Sequence, residues 1–382
     1  MIWLLLTSLL ALPVLLLCAQ LLAALPPRRP GVLPAGARPP LAILVPAHNE
    51  AAGIAITLAS IQRQLMPDDR LLVVADNCDD HTAAIARAAG ASVIERCHAQ
   101  QRGKAYALAC GLQWLAQAPP AIVVCIDADC TLDDDALNWL AHRCTATNRP
   151  AQARYLMHTR QPGYAAAPQR LVAEFAWRVK NGLRALGRER LGMACQLTGS
   201  GMVFPWRALR AIQLQHHLAE DLALGLALAA AGNAPVYCHE AVIHSSFADN
   251  ADGANAQRTR WEHGHLHLLT RHALRHLYTA LRRRDWRYAS LAMDLCIPPL
   301  SILLMLAAAA ALPAWLHAGA TPWLLPAALL PLTLLATWAI HGRDLLPVTR
   351  LLAVAAYVLA KLPIYLRFLG RRQRDWIRTD RD

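Results

Sequence analysis

Ile122-Val123-Val124-Cys125-Ile126-Asp127-Ala128-Asp129 sets an unbroken apolar run against two carboxylates separated by one small residue. Such a run reads as a parallel strand buried on both faces, because a half-exposed strand would alternate apolar and polar side chains. Two runs upstream repeat the pattern. Leu41-Ala42-Ile43-Leu44-Val45 leads into Pro46-Ala47-His48-Asn49-Glu50, and Leu71-Leu72-Val73-Val74 leads into Ala75-Asp76-Asn77-Cys78-Asp79-Asp80. Residues 51–65 and 82–89 between them have helical composition. Strand, helix and strand at this spacing predict an α/β fold with a doubly wound sheet, whose ligand site lies at the carboxyl ends of the strands.

The polar residues at those strand ends each admit a functional and a plain reading. Asp127 and Asp129 offer hard oxygen ligands for Mg2+ or Mn2+, an ion that would also hold phosphate oxygens; Asp-x-Asp also arises by chance. Asp76 directly follows its strand and is placed for ligand contact, whereas Asp79 and Asp80 read as caps of the next helix. Asn49 and Glu50 sit where a base or ribose would rest, or simply start a helix. Arg102-Gly103-Lys104 is either a diphosphate-binding loop or an ordinary basic one. Thr198-Gly199-Ser200-Gly201 lets backbone approach a sugar or acceptor closely, or forms a turn. Glu220-Asp221 opens an apolar helical run; carboxylates suit a helix start in any case, and a general base is the sharper reading. His263 and His267 lie four apart without a second ligand pair, so they read as a polar, headgroup-facing cluster rather than a metal site.

Taken in order, Pro46-x-x-Asn49-Glu50, Asp76, Arg102-Gly103-Lys104, Asp127-x-Asp129, Thr198-Gly199-Ser200-Gly201, Glu220-Asp221 and Gln257-x-x-Arg260-Trp261 resemble the membrane-bound family 2 glycosyltransferases. That group includes cellulose, chitin and hyaluronan synthases and is similar to ceramide glucosyltransferases. The resemblance implies a GT-A, Rossmann-like fold and an inverting, hexosyltransferase-type transfer from a nucleotide-diphosphate sugar, with UDP-sugars the first expectation. It implies Asp221 as the base, and Glu50, Asp76, Lys104 and Asp127 as nucleotide-sugar ligands. Asp129 would hold Mg2+ or Mn2+; Gly199, Ser200, Gln257, Arg260 and Trp261 would meet acceptor or diphosphate.

Outside this block the chain is membrane-like. Of its 382 residues 55% are apolar, and the excess lies at the two ends. Residues 1–25 carry no charge and are long enough for a transmembrane helix. The expected order continues with a Pro/Gly linker at 26–40, a catalytic domain at 41–265 and an amphipathic interfacial helix at 266–288. A C-terminal membrane region follows at 289–370, with about two spans plus an interfacial or third segment, and a basic tail at 371–382. The interfacial reading belongs to the stretch near 345–369, since spanning there would carry the basic tail outward against the charge rule.

The net charge of +12 is almost wholly arginine, with Lys104, Lys180 and Lys361 the only lysines. Basic runs beside apolar segments point to anionic lipid, and no recognition motif for nucleic acid accompanies them. Ten cysteines without a Cys-x-x-Cys pair suit a reduced compartment. The expected setting is a bacterial cytoplasmic membrane, multi-pass, with the catalytic domain inside and membrane lipids and polysaccharide-assembly proteins as partners. The expected product is an envelope lipid or exopolysaccharide; a processive polysaccharide synthase and a non-catalytic scaffold that binds nucleotide sugar are the alternatives. A nicotinamide oxidoreductase is disfavoured, because no Gly-x-Gly-x-x-Gly turn follows the first strand.

Overall fold

In a computed structural model the protein is described over residues 2–159, 167–214, 219–248, 250–316 and 321–370. The expected basic tail lies outside these residues. An eight-stranded mixed sheet forms the centre: β1 (Leu41–Ala47), β2 (Arg70–Asp76), β3 (Ser92–Arg96), β4 (Ile122–Cys125), β5 (Thr131–Leu132), β6 (Ala151–His158), β7 (Met202–Pro205) and β8 (Val236–Ser246). Its order is β3-β2-β1-β4-β7-β6-β8-β5. The first four of these neighbours run parallel, and β7 is antiparallel to both β4 and β6.

The three apolar runs are β1, β2 and β4, at the middle of the sheet. Successive side chains of a strand point to opposite faces, and here both faces are covered. Ile43, Val45, Val73 and Val124 enter one core with the helices Ile54–Gln62 and Ala136–Thr147. Leu44, Leu72, Val74 and Val123 enter the other with Lys104–Leu115. Double coverage explains why these strands show no alternation in sequence. β6 and β8 carry Gln152, Arg154, His158, His244, Ser245 and Ser246, so no apolar run announces them.

The apolar helices Ile2–Ala24, Leu300–Leu316 and Thr321–His341 gather on the side formed by Arg184–Arg190. Gln20, Arg184, Arg188 and Asp294 join Ile2–Ala24 and Trp286–Leu295 to Arg184–Arg190. Asp294 accepts from Gln20 Nε2 at 2.8 Å and from Arg184 at 2.9 Å, and pairs with Arg188. The helices approach so closely that a Cβ on Gly187 would lie 1.7 Å from the Gln20 carbonyl oxygen. Gly187→Ala is therefore expected to destabilise the protein by about 1–3 kcal/mol through overpacking, read as a lowered thermal midpoint in lipid.

Among the described residues one helical stretch, Val348–Gly370, is long and apolar enough to cross a membrane; the pair Trp286–Leu295 and Leu300–Ala310, bent by 68°, would make a second if it counts as one broken span. Leu10–Ala24 and Pro326–His341 are shorter apolar helices. The stretch that meets the length criterion is the one whose sequence suggested an interfacial segment. It is divided near Lys361 into Ala353–Leu359 and Leu362–Gly370, and the second part docks on helix Ala251–Arg271. Lys361 pairs with Glu262, His263 Nε2 donates to the Ile364 carbonyl at 2.9 Å, and Arg258 lies 5.3 Å from the Tyr357 ring centre. The stretch expected as one amphipathic helix over 266–288 is divided: Ala251–Arg271 runs through its start, Ala273–Arg282 follows the break at His272, and Trp286 begins another helix.

Candidate active site

The carboxyl ends of β1, β2 and β4 open into a cavity of about 730 Å3. Glu50, Asp76, Lys104, Asp127, Asp129, Gly199, Asp221, Gln257, Arg260 and Trp261 all line it, so residues up to 211 positions apart in sequence meet in one space. Asn49 and Asn77, just beyond β1 and β2, both adopt φ of 52°. That left-handed conformation suits Asn better than most residues and turns the chain sharply from strand into loop.

At the β2 end, Asp76 is nearly buried and accepts from Arg96 Nη1 at 2.6 Å and from Asn77 Nδ2 at 3.0 Å. His48 Nδ1 lies 2.7 Å from the Asp76 carbonyl oxygen. Of the two expected helix caps, Asp80 accepts from the Thr82 amide at 2.9 Å beside the N-cap residue His81, whereas Asp79 is joined to Asn49, its amide donating to Asn49 Oδ1 at 2.9 Å. Gly103 precedes helix Lys104–Leu115 with φ of 116°, which aims Lys104 inward. Its ammonium pairs with Asp127 and donates to the Gly199 carbonyl at 2.8 Å. Burial opposes the charge, but Asp127 and Glu220 more than offset it and hold Lys104 up to about 12.

Gly199 marks the centre. A Cβ placed on it would lie 3.6 Å from Lys104 Nζ, 3.8 Å from Asp127 Oδ2 and 3.8 Å from Asp221 Oδ2. The carboxylate at the end of β4 and the one at the start of helix Glu220–Ala230 therefore face each other across a glycine. Ser200 is fully buried instead. Its hydroxyl accepts from the Asp127 amide at 3.1 Å, so it shapes the loop and does not face the cavity.

Asp127, Asp129 and Cys130 bring ligand atoms within 4.8 Å of one another. A thiolate is a soft ligand and a hard divalent ion prefers oxygen, which leaves the two carboxylates as donors. Asp129 Oδ2 accepts from the Ser245 hydroxyl at 2.9 Å, which fixes its direction. Two oriented oxygen donors fit a hard divalent ion.

The model of the family described as Glycosyltransferase like family 2 matches residues 39–264, more than half of the chain. This chain is a family 2 glycosyltransferase. The matched span holds every strand and every sequence-predicted site residue of the glycosyltransferase. No curated protein matches it. A mannosyltransferase from Pyrobaculum calidifontis, solved in complex with GDP-Man and Mn2+, shares its fold at TM-score 0.57 and 20% identity, over 96% of this chain and 100% of that one. Glucosyl-3-phosphoglycerate synthase from Mycobacterium tuberculosis, in complex with Mn2+, UDP and phosphoglyceric acid, matches at TM-score 0.39 and 20% identity, over 59% of this chain and 76% of that one. The fold is the GT-A arrangement expected from the motifs.

Two adjacent acids of this glycosyltransferase are perturbed. Burial, partly offset by Lys104, pushes Glu220 up to about 7. Burial also raises Asp221, against the opposing effect of the Leu222 amide, which donates to Asp221 Oδ1 at 2.9 Å. Buried acids this close titrate as a pair. A base must be deprotonated to act, so with Asp221 in that role kcat/KM is expected to rise with pH through an apparent pKa above the ordinary carboxylate range and then level off. A pH–rate profile without an acid limb above the ordinary carboxylate range would contradict that assignment.

Several residues in or beside the cavity had no motif to reveal them. Trp177 stands 4.7 Å from Trp261, centre to centre, and donates from Nε1 to the Tyr155 carbonyl at 3.0 Å. Together the two indoles form one aromatic wall. Glu174, His158, His244 and Asp133 form a hydrogen-bonded chain along β6 and β8. Arg96 had only its position closing β3 as a signal, and Lys180 and Asn181 lay inside a helical run.

Proposed function

We propose that this family 2 glycosyltransferase moves a hexose, with inversion, from a nucleotide-diphosphate sugar to a hydroxyl on a membrane-associated lipid or glycan. The convergence of Asp221, Asp127 and Lys104 around Gly199 carries the reading: a proton acceptor lies across a narrow gap from a cation–carboxylate pair suited to a diphosphate. Glu50 and Asp76 would meet the nucleoside, with Asp76 oriented by Arg96. Asp127 and Asp129 would hold Mg2+ or Mn2+, which when bound supplies charge neutralisation for the leaving diphosphate. Asp221 would take the acceptor proton as the hydroxyl oxygen attacks the anomeric carbon. Gln257, Arg260 and the Trp261–Trp177 wall would position the acceptor, with Arg260 able to form charge-assisted bonds to phosphate.

A membrane acceptor is favoured by the apolar surface around the catalytic domain. Leu274 and Leu281 of Ala273–Arg282 are 77% and 61% exposed, and Leu352 and Leu369 of the docked C-terminal stretch are 88% and 78% exposed. Patches of this kind mark membrane or protein contact, and Arg271, Arg275, Arg282, Arg283 and Arg284 beside the first pair suit an anionic bilayer. A cytoplasmic-membrane enzyme of envelope or exopolysaccharide synthesis follows. The test is transfer of radiolabelled sugar from UDP-, GDP- or dTDP-donors into a bacterial lipid extract. Label entering the organic phase as a single-sugar product is expected; label confined to long polymer would favour the processive alternative.

A further inference from the structure

Helix Pro168–Trp177 does not run straight into Arg184–Arg190, because Arg178–Leu183 forms a π-helical turn. Such turns are rare and occur frequently at functional sites. Here the turn carries Lys180 and Asn181 to the wall of the active-site cavity. Asn181 is 5% exposed, yet its Nδ2 has no hydrogen-bond partner. Thr198 Oγ1, which lines the same inner recess as Lys180 and Asn181, also has none.

Lys180 differs from the other two lysines. Lys104 is paired with Asp127 and Lys361 with Glu262, whereas among the described residues Lys180 forms no salt bridge or hydrogen bond. Its charged surroundings are Glu262 and Asp221 on one side and Arg184 and Lys361 on the other, and burial outweighs the acids and lowers it. Where Lys180 and Asn181 meet the main cavity the wall thus gathers donors, three hydrogens on the ammonium and two on the amide. A recessed ammonium without a bonded counter-ion is costly. A neutral hydroxyl would leave that charge uncompensated; an ionised oxygen acceptor would satisfy ammonium and amide together.

We propose that Lys180 and Asn181 form a subsite for an oxyanion, a carboxylate or phosphate carried by one of the two substrates close to the reacting hydroxyl. The assignment rests on the glycosyltransferase reading and adds a substrate class to it. The oxyanion has two sources, a sugar-acid carboxylate on the donor or a phosphate on the acceptor headgroup.

Calorimetric titration of the full chain in lipid nanodiscs with Mn2+ separates them. One arm compares UDP-glucuronic acid with UDP-glucose; the other, with UDP bound, compares glycerol 3-phosphate with glycerol. The wild type is expected to favour the anionic member of one pair by roughly tenfold or more. Lys180→Met is expected to erase that preference and Lys180→Arg to keep part of it, with UDP affinity unchanged in both. The responding pair identifies the source. Three lysines also permit a measurement on the unsubstituted protein: after reductive 13C-methylation, the Lys180 signal should shift on adding the responding probe. Equal affinities within both pairs, or a preference that survives Lys180→Met, would overturn the subsite and leave its donors to a buried water. Failure to bind UDP, GDP or dTDP would overturn the nucleotide-sugar reading and the subsite with it.

Discussion

Asp221→Asn is expected to lower kcat by roughly 10²–10⁴-fold, the range of a lost general base, while donor affinity stays near that of the wild type. The amide has the shape of the carboxylate and keeps an oxygen for the Leu222 amide that Asp221 Oδ1 now accepts, so the helix start is preserved. It cannot take a proton. The acid limb of the pH–rate profile should vanish with the activity. Glu220→Gln provides the contrast. Glu220 lies on the same turn, and the Asp221 charge is one of the causes that raise it, so its removal should leave the base in place and cost far less in rate. Stopped transfer in Glu220→Gln together with near-normal transfer in Asp221→Asn would exchange the two roles.

Asp129→Ala is expected to abolish the response to Mn2+ and to lower transfer by roughly 10²–10⁴-fold, since a bound metal is worth several kcal/mol of charge stabilisation. Asp129 is oriented by Ser245 and is only partly buried, so the fold should survive its loss. Chelation of the wild type should reproduce the defect, and chelation of the variant should add nothing. Asp127→Ala should differ. It leaves Lys104 without its ion pair, so nucleotide-sugar affinity should fall along with rate. Titrating Mn2+ at fixed donor separates the two variants.

The parts of the fold that could be read in the sequence were those buried on both faces. β1, β2 and β4 appear as apolar runs because helices cover each side of the sheet, and their polar ends mark the site. β6 and β8 could not be read that way, since His158, His244 and Ser245 face the cavity or its rim and break any alternation. Asp221, Asp127 and Lys104 were named from ordered motifs, but their meeting at Gly199 depends on β7 running antiparallel beside β4, a pairing of residues some 80 apart. Ser200 shows the limit of a motif: the letter matches while the side chain turns inward to the Asp127 amide. Lys180 and Asn181 lay in a segment of helical composition, and only the π-helical turn directs them to the pocket. In the C-terminal stretch, the basic tail suggested an interfacial segment; what the sequence did not show is that Lys361, within that stretch, pairs with Glu262, 99 residues away.

Nucleotide release from a panel of UDP-, GDP- and dTDP-sugars by the purified protein in lipid, with Mn2+ and beside Asp129→Ala, tests the central claim most directly. Nucleotide binding should be scored in the same samples. The account predicts binding and Mn2+-dependent release with one donor, and loss of that release in the variant. Absence of binding to every nucleotide sugar, or equal release by wild type and Asp129→Ala, would contradict it.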